Sequence, residues 1–419
     1  MRPYLKVTRI EKQGNRIEVY FDTDKMSKRY FESSEYPFWA EYSVSIDDLP
    51  DSIAAIPFLA NILPIIWLAD MRLEIDEIDN DFYDCLQLVR HGYEAMYPML
   101  SFKGEVSVGK IVGHRRENNI QQSAIFFSGG LDAFATLFNH IDERPDLISV
   151  QGADISVYDA ASWNTVLKQN QKVADDYGLS LLTIRSNFTK FIDINGTLSE
   201  LIAGSGENWW HGIQHGIAII SLAAPLAYKL GLSCIYIASS HTAADKVTCA
   251  SDPTIDNYVR YCGSKIIHDG YEFDRFDKTR NVLSFVSRNN TKPFLRVCYQ
   301  AGNEGRNCCE CEKCVRTAAA IHILGGRMQD FGFGNPDILK HSYLKVVTKV
   351  TPTAAPLWDK MRVAILSDIN NPRFKQLRWL GNTNVSAEIR KLKIRALKLI
   401  CRRVPLCQMI LDRYLYGRK

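Results

Sequence analysis

The 419-residue sequence contains no apolar run of the ~20 residues that a membrane-spanning helix needs. The nearest approach is residues 53–69, a stretch of seventeen residues that includes two prolines and an asparagine and is flanked by Asp51 and Asp70. The first residues of the chain also lack the apolar segment of a secretory signal. We therefore expect a cytoplasmic protein with no membrane partner, in which residues 53–69 form a buried or groove-lining helix.

Cysteine makes up only 11 of the 419 residues, and five cysteines lie within seventeen residues: Cys298, Cys308, Cys309, Cys311 and Cys314. A disulfide framework is not expected in so long a chain without a secretory signal. Cys308, Cys311 and Cys314, with Cys298 upstream, supply four thiolates that suit a closed tetrahedral zinc site, and Cys309 is the alternative to Cys308. An iron–sulfur cluster is the competing hypothesis, because C-x2-C-x2-C also begins the ferredoxin pattern.

Charge is distributed unevenly along the chain. Residues 340–419 hold 18 of the 51 Lys and Arg but only 4 of the 47 Asp and Glu, which gives this segment a net charge of +14 and leaves the remainder at −10. Ser386 can cap a basic helix on which Ile389, Leu392, Ala396 and Leu399 share a face. We expect this region to dock on the acidic body of its own chain or on a protein partner, with nucleic acid as the less favoured partner.

The order of predicted elements divides the chain into three regions. Residues 1–121 contain strands followed by helices, which indicates an α+β extension. Residues 122–330 alternate strand and helix, which indicates an α/β domain with a parallel sheet, and residues 331–419 form the basic, mainly helical region. The predicted strands are 4–10, 16–21, 41–46, 124–127, 147–150, 181–184, 234–238 and 293–297, and the predicted helices include 79–96, 133–141, 162–177, 211–230 and 312–324.

A glycine-rich turn lies between the predicted strand 124–127 and the helix that follows it. The turn reads Ser128-Gly129-Gly130, and the helix starts at about Asp132. Two glycines at this position let backbone N–H groups converge on one point, where the helix dipole also favours negative charge. The sequence therefore predicts a phosphate site, with a tight turn that binds no ligand as the alternative.

Other polar groups follow the carboxyl ends of predicted strands, where ligands collect in a parallel sheet. Ser239, Ser240 and His241 come directly after the strand 234–238, and Asp245, Asp252 and Asp256 follow them. We expect these six residues to contact substrate. The carboxylates are also suitable Mg²⁺ ligands, with solvated loop residues as the alternative. Weaker candidates are Trp209, Trp210, His211 and His215 at the start of a helix, and His268, Asp269, Arg275 and Lys278 as groups near a pyrophosphate.

The segment Ser128-Gly129-Gly130-Leu131-Asp132 resembles the loop of the PP-loop ATP pyrophosphatases. Followed by the cysteine set, it is similar to the 7-cyano-7-deazaguanine synthase (QueC) family, and the resemblance covers residues 122–327. It implies a HUP-type nucleotide-binding domain that uses ATP and Mg²⁺ and carries a structural Zn²⁺ bound by Cys298, Cys308, Cys311 and Cys314. It further implies an ATP-binding segment of Ser128, Gly129, Gly130, Leu131, Asp132 and Ala133, with Ser128 and Asp132 as the catalytic residues.

Three features depart from that family. Ala133 stands where the family usually carries a hydroxyl residue, residues 239–256 match the deazaguanine-binding loop only loosely, and both ends of the chain extend beyond the synthases. These departures make the chain similar to the diverged QueC-like proteins of bacterial anti-phage systems (Qat and type IV CBASS).

The resemblance implies a ligase that adenylates a small-molecule carboxylate, of the deazaguanine-acid type, and transfers it to ammonia or to the amine of a protein. AMP and pyrophosphate would be released. Two alternatives remain. One is a tRNA-thiolating enzyme with an iron–sulfur cluster, whose basic tail would hold tRNA. The other is a nucleotide-binding scaffold without turnover, in which Ala133 marks a degenerate site.

Overall fold

The computed structural model describes residues 2–32, 37–114, 122–194, 196–244, 247–298, 305–340, 342–351 and 354–401. The chain forms two compact units, Met1–Asp274 and Arg275–Lys419. This division differs from the three regions predicted from the sequence, because residues 1–121 share a unit with the predicted α/β domain and residues 275–330 share one with the basic region.

The described part of the first unit contains an eleven-stranded, mostly parallel sheet, so the fold class is α/β. Its strands are β1 (Tyr4–Gln13), β2 (Arg16–Thr23), β3 (Phe38–Tyr42), β4 (Arg72–Asp79), β5 (Glu105–Val112), β6 (Gln122–Phe126), β7 (Asp146–Gln151), β8 (Leu181–Ser186), β9 (Leu232–Ala238), β10 (Arg260–Tyr261) and β11 (Ser264–Asp269). Their order across the sheet is β10-β11-β9-β6-β7-β8-β3-β2-β1-β4-β5.

The α-helices of the first unit are α1 (Asp51–Ala54), α2 (Ile56–Leu68), α3 (Asn80–Met96), α4 (Leu131–Asn139), α5 (Ala160–Tyr177), α6 (Thr197–Leu201), α7 (Ile217–Ser221), α8 (Ala224–Leu230) and α9 (Pro253–Asp256). Single turns of other helix types are Ser27–Tyr30 and Ile141–Glu143 (3₁₀) and Trp210–Gln214 (π). The second unit contains α10 (Arg275–Asn289), α11 (Glu312–Ile323), α12 (Ser342–Lys349), α13 (Ala355–Leu366), α14 (Arg378–Gly381) and α15 (Val385–Cys401), with 3₁₀ turns at Met328–Phe331 and Pro372–Leu377.

The direction of strand addition reverses beside β6. From β6 the chain moves outward through β7 and β8, and it then returns to the opposite side of β6 as β9, followed by β11. All five of these strands are parallel. In an open α/β sheet, such a switch point leaves a crevice at the carboxyl ends of the two strands, and ligands bind there. The turns after β6 and β9 leave the sheet at this crevice.

The N-terminal strands continue the same sheet. Strand β3 pairs antiparallel with β8, with Ala40 opposite Ser186 and Tyr42 opposite Ile184. The Ser186 hydroxyl also donates to the Trp39 carbonyl at 2.6 Å. The predicted strand 41–46 therefore lies a few residues too far along the chain. Strands β4 and β5 were not predicted. In β4 the charged residues hide the buried alternate positions, such as Leu73 and Ile75, and β5 contains no buried residue.

Helix α2 is buried around almost its whole circumference, which confirms the predicted buried helix. Its polar residue Asn61 is satisfied inside the core, since its amide nitrogen donates to the Pro57 carbonyl at 2.8 Å and its oxygen accepts from Gln214 at 2.8 Å. Among the described helices, none is long and apolar enough to cross a membrane.

The basic region packs into the second unit. The Trp358 side chain is fully buried, and its indole N–H donates to Glu312 of α11 at 2.7 Å. The Arg373 guanidinium donates to the carbonyls of His322 and Gly326, both at 2.6 Å, and so satisfies acceptors at the end of α11.

Two details of the last helix differ from the prediction. Ser386 is not the cap of α15, because the Asn384 side chain accepts from the Ala387 amide at 2.7 Å and the Ser386 hydroxyl donates to Asp359. Ile389 is buried as predicted, but Leu392 is 41% exposed. The side chains of Ala396 and Leu399 lie outside the described part of the chain.

Candidate ligand-binding edge and metal centre

The turn after β6 has the predicted strand–glycine–helix form. Gly129 has a φ of +74°, a left-handed conformation that glycine adopts without strain. Gly130 is extended, and its carbonyl accepts the first helical hydrogen bond, from Phe134 at 3.0 Å. Helix α4 therefore begins at Leu131, slightly before the predicted start, and its first amides lie at the carboxyl edge of the sheet.

Ser128 has a local role in this turn. Its side chain is exposed, and its Oγ accepts a hydrogen bond from the Gly130 amide at 3.3 Å. The Gly130 amide was predicted to bind a phosphate, but in this structure it donates to Ser128. The amides of Leu131, Asp132 and Ala133 at the start of α4 are the groups that the helix geometry directs towards the edge.

The turn after β9 is held by Ser239. This residue is fully buried, and its hydroxyl donates to the His241 carbonyl at 2.6 Å. Its amide donates to the Asp269 carbonyl at the end of β11, at 2.8 Å. Ser240 is exposed and His241 is half-buried, so the side chains of these two residues are accessible at the carboxyl edge of the sheet.

Two of the carboxylates assigned to substrate are used inside their own loop. Asp252 caps α9, with Oδ1 accepting from the Thr254 amide at 2.9 Å. Asp256 is fully buried and accepts from the Ser251 hydroxyl at 2.7 Å and from His268 Nδ1 at 2.8 Å. These bonds involve Oδ2 of Asp256, whereas its buried Oδ1 has no hydrogen-bond partner among the described residues. They also engage His268, which the sequence placed near a pyrophosphate. Asp245 lies outside the described residues.

Asp269 joins a charged network behind the two turns. It accepts from the Thr136 hydroxyl at 2.7 Å and bonds to His140 Nε2 at 3.0 Å, while His140 Nδ1 bonds to Glu143 at 2.7 Å. Burial opposes protonation of His140, but its hydrogen bonds to Asp269 and Glu143 outweigh that effect and raise its pKa. The His140 ring also stacks on Tyr236 of β9, with centroids 3.9 Å apart. The network therefore ties α4 to β9 and β11.

The predicted helix 211–230 is broken into three pieces. Its first turn, Trp210–Gln214, is π-helical, and two buried tyrosines, one in α3 and one directly after it, bond to two of its carbonyls. The Tyr97 hydroxyl donates to Gly212 O at 2.8 Å, and the Tyr93 hydroxyl donates to Ile213 O at 2.6 Å. This turn positions His211 at the edge, as π-helical turns often position functional residues.

The second unit brings together the four predicted metal ligands. Cys298, Cys308, Cys311 and Cys314 have sulfur atoms within 4.8 Å of one another, and they could hold a metal ion such as zinc. The amide of Cys311 donates to Cys308 Sγ at 3.2 Å, and the amide of Cys314 donates to Cys311 Sγ at 3.4 Å. Cys309 has a φ of +58°, and its thiol is directed to the Asn307 carbonyl at 3.8 Å. Cys309 is therefore not in the cluster.

The sulfur spacing fits a single small ion. Cys298 Sγ lies 4.0 Å from Cys311 Sγ, and Cys308 Sγ lies 3.9 Å from Cys314 Sγ. A tetrahedron with Zn–S bonds of about 2.3 Å has edges of about 3.8 Å. A hydrogen bond from the thiol of Cys314 lowers the pKa of Cys311, as does the bond from the Cys314 amide.

Asn307 joins the two arms of the cysteine cluster, the Cys298 arm (residues 295–298) and the arm of residues 308–314, and it was not predicted from the sequence. Its Oδ1 accepts from the amides of Val297 and Cys298, at 3.0 and 3.2 Å. Its Nδ2 donates to the Leu295 carbonyl at 2.7 Å. Residues 293–297 were predicted as a strand, and that prediction is wrong, because the Asn307 side chain and the Phe331 carbonyl take the bonds that a neighbouring strand would make.

Replacing Asn307 with alanine should weaken metal binding without removing a ligand. The substitution leaves the Cys298 arm without its three side-chain hydrogen bonds, and positioning groups of this kind typically contribute 10- to 100-fold to metal affinity. Competition with a chromophoric chelator would measure the change. Asn335→Ala is the matched control, since Asn335 bonds within its own turn, to the Asp337 amide. Equal zinc affinity in wild type and Asn307→Ala would contradict the positioning role.

No family model, curated protein or solved structure matches this chain.

Proposed function

We propose that this protein is an ATP-dependent carbon–nitrogen ligase of the PP-loop type, similar to the 7-cyano-7-deazaguanine synthase (QueC) family. The observation that carries the proposal is the Ser128-Gly129-Gly130 turn at the switch point between β6 and β9. A glycine-rich turn that leads into a helix at this point favours a phosphate ligand for two reasons, the helix dipole and the amides of the first turn.

The strand order supports a HUP-type nucleotide-binding domain. The five parallel strands run β8-β7-β6-β9-β11, which is the order 3-2-1-4-5 counted from β6. The first strand therefore lies in the centre, with its glycine turn beside the turn after the fourth strand. In this arrangement, ATP would lie across the ends of β6 and β9, with its phosphates at the start of α4.

In the proposed reaction, a carboxylate oxygen of the substrate attacks the α-phosphorus of ATP, and pyrophosphate leaves. The amides of Leu131, Asp132 and Ala133 would stabilise the charge that develops on the pyrophosphate. Mg²⁺ would neutralise part of that charge, and Asp132 is a suitable oxygen ligand for it. The nitrogen of an amine then attacks the acyl carbon of the adenylate, AMP leaves, and an amide forms.

Zinc is the metal that we propose for the cysteine cluster. All four coordination positions would be taken by Cys298, Cys308, Cys311 and Cys314, so the ion would be structural. The sulfur atoms, about 4 Å apart, leave room for one ion but not for the larger body of an iron–sulfur cluster. This spacing argues against the tRNA-thiolating alternative.

The carboxylate would be a small molecule of the deazaguanine-acid type, and the acceptor would be ammonia or a protein amine. Ser240 and His241 are the side chains at the edge that we favour for contact with it. A protein partner would bind through the basic C-terminal region, because residues 340–419 carry a net charge of +14, and nucleic acid is the less favoured partner.

The products of ATP cleavage test this proposal. Purified protein incubated with ATP, Mg²⁺ and 7-carboxy-7-deazaguanine should release AMP and pyrophosphate, because the glycine turn holds the β and γ phosphates as one leaving group. Mass spectrometry of the nucleotide and of the carboxylate product would measure this result. A reaction without the carboxylate is the control for background hydrolysis. Release of ADP and phosphate would overturn the proposal.

A further inference from the structure

The carboxyl edge of the first unit contains a second group of metal-ligand residues, outside the cysteine cluster. His211, His241 and Cys249 each offer one ligand atom, and these three atoms lie within 4.8 Å of one another. They come from the π-helical turn, from the turn after β9 and from the loop before α9. The tertiary fold therefore assembles this group from three separate segments.

His211 is oriented in the way that metal-binding histidines are. Its Nδ1 is 2.9 Å from Glu207 Oε2, and the other oxygen of Glu207 accepts from the Thr248 hydroxyl at 2.6 Å. A carboxylate at Nδ1 keeps the proton on that nitrogen and leaves the lone pair of Nε2 for a metal. This carboxylate–histidine pair is the usual second layer around a bound zinc ion.

The backbone also holds the three ligands together. The Asn208 side chain accepts from the His211 amide at 2.9 Å, and the His211 carbonyl accepts from the Ala250 amide at 2.9 Å. The second bond places Cys249 beside the π-helical turn. Cys249 is buried, whereas the two histidines are half-buried and reach the surface.

We propose that His211, His241 and Cys249 form a zinc site with three protein ligands and one open position. Two imidazoles and a thiolate are ligands of the type that zinc prefers, and three protein ligands with an open fourth position is the arrangement of zinc sites that bind water or substrate. Because His241 follows β9 directly, the site lies at the edge where β9 ends, and the open position would take a water molecule or an anionic oxygen there. This inference shares His241 with the proposed substrate contacts, but its test measures zinc uptake and not ligase activity.

Zinc titration of the full-length protein tests this proposal. An open site exchanges its metal more readily than a closed one, so mild treatment with EDTA should empty it and leave the zinc in the cysteine cluster. Added Zn²⁺, followed with a competing chromophoric indicator, should then restore one equivalent per chain. His241→Ala and Cys249→Ser should each lose this equivalent. The matched controls are His91→Ala, at an exposed histidine of α3, and Cys234→Ser, at a buried thiol of β9.

Glu207→Gln gives a second measurement that does not remove a ligand. The side-chain amide that this substitution introduces is a weaker acceptor for His211 Nδ1–H. The affinity for Zn²⁺ should therefore fall 10- to 100-fold, while the stoichiometry stays at one Zn²⁺ per chain. Cobalt(II) added in place of zinc should give a thiolate charge-transfer band that is absent in Cys249→Ser. The proposal would be overturned if the wild-type protein takes up no EDTA-labile equivalent of Zn²⁺. It would also be overturned if the His241→Ala variant takes up as much Zn²⁺ as the wild type.

Discussion

Replacement of Cys314 with serine should release the zinc and unfold much of the second unit. The Cys314 side chain is fully buried at the start of α11, where it lies 3.9 Å from the sulfur of Cys308. In small zinc domains the metal contributes an apparent ~10–16 kcal/mol to folding. Elemental analysis would measure the zinc, and limited proteolysis with mass spectrometry would locate new cleavage sites. We expect these sites to fall within Arg275–Lys419.

Cys309→Ala is the matched control, because Cys309 is the immediate neighbour of a ligand but lies outside the cluster. It should retain the full zinc content and resist proteolysis like the wild type. If the Cys309→Ala variant loses zinc and the Cys308→Ala variant retains it, Cys309 is the ligand in place of Cys308. Iron with acid-labile sulfide in the purified protein would refute the zinc assignment and favour the tRNA-thiolating enzyme.

Asp132→Ala should reduce kcat/KM for AMP formation on the order of 1,000-fold, equivalent to about 4 kcal/mol. Asp132 occupies the first turn of α4 at the switch point, where in the proposed reaction its carboxylate would hold Mg²⁺ against the phosphates. Ser128→Ala should cost less, about 1–3 kcal/mol, the size of one hydrogen bond to a charged group. Its hydroxyl also accepts from the Gly130 amide, so the substitution removes this bond within the turn as well.

Asp142→Ala is the control for the Asp132 variant. Asp142 is an exposed carboxylate in the 3₁₀ turn after α4, so its removal changes the net charge by the same amount far from the glycine turn. Steady-state rates of AMP release would be compared for all variants, together with thermal unfolding to verify that each is folded. Unimpaired turnover in Asp132→Ala would show that this loop is not the catalytic element.

Features encoded within one short segment were predicted correctly. The glycine turn at residues 128–130 and the four clustered cysteines depend on local backbone freedom and on ligand chemistry, and both are visible in a few consecutive residues. The buried helix α2 was predicted for a similar reason, since an almost continuous apolar run has only the interior to occupy. In these cases the local composition was sufficient to predict the local structure.

The tertiary structure decided which polar groups reach the carboxyl edge of the sheet. Asp252 and Asp256 look like ligand-facing carboxylates in the sequence, yet a helix cap and a buried histidine engage them. Asn307 looks like an ordinary loop residue, yet its side chain bonds to the backbone of the Cys298 arm. Such roles depend on which partner the fold brings within 3 Å, and the local sequence does not contain that information.

By itself, then, the sequence determined the α/β class of the central region, the cysteine cluster and the glycine turn, because each follows from residue type and spacing along the chain. Only the tertiary structure determined that the N-terminal strands extend the sheet, and that His211, His241 and Cys249 meet. The tyrosine hydroxyls that hold the π-helical turn are 115 and 120 residues away from their acceptors. Contacts over that separation form only when the whole sheet and its helices are packed.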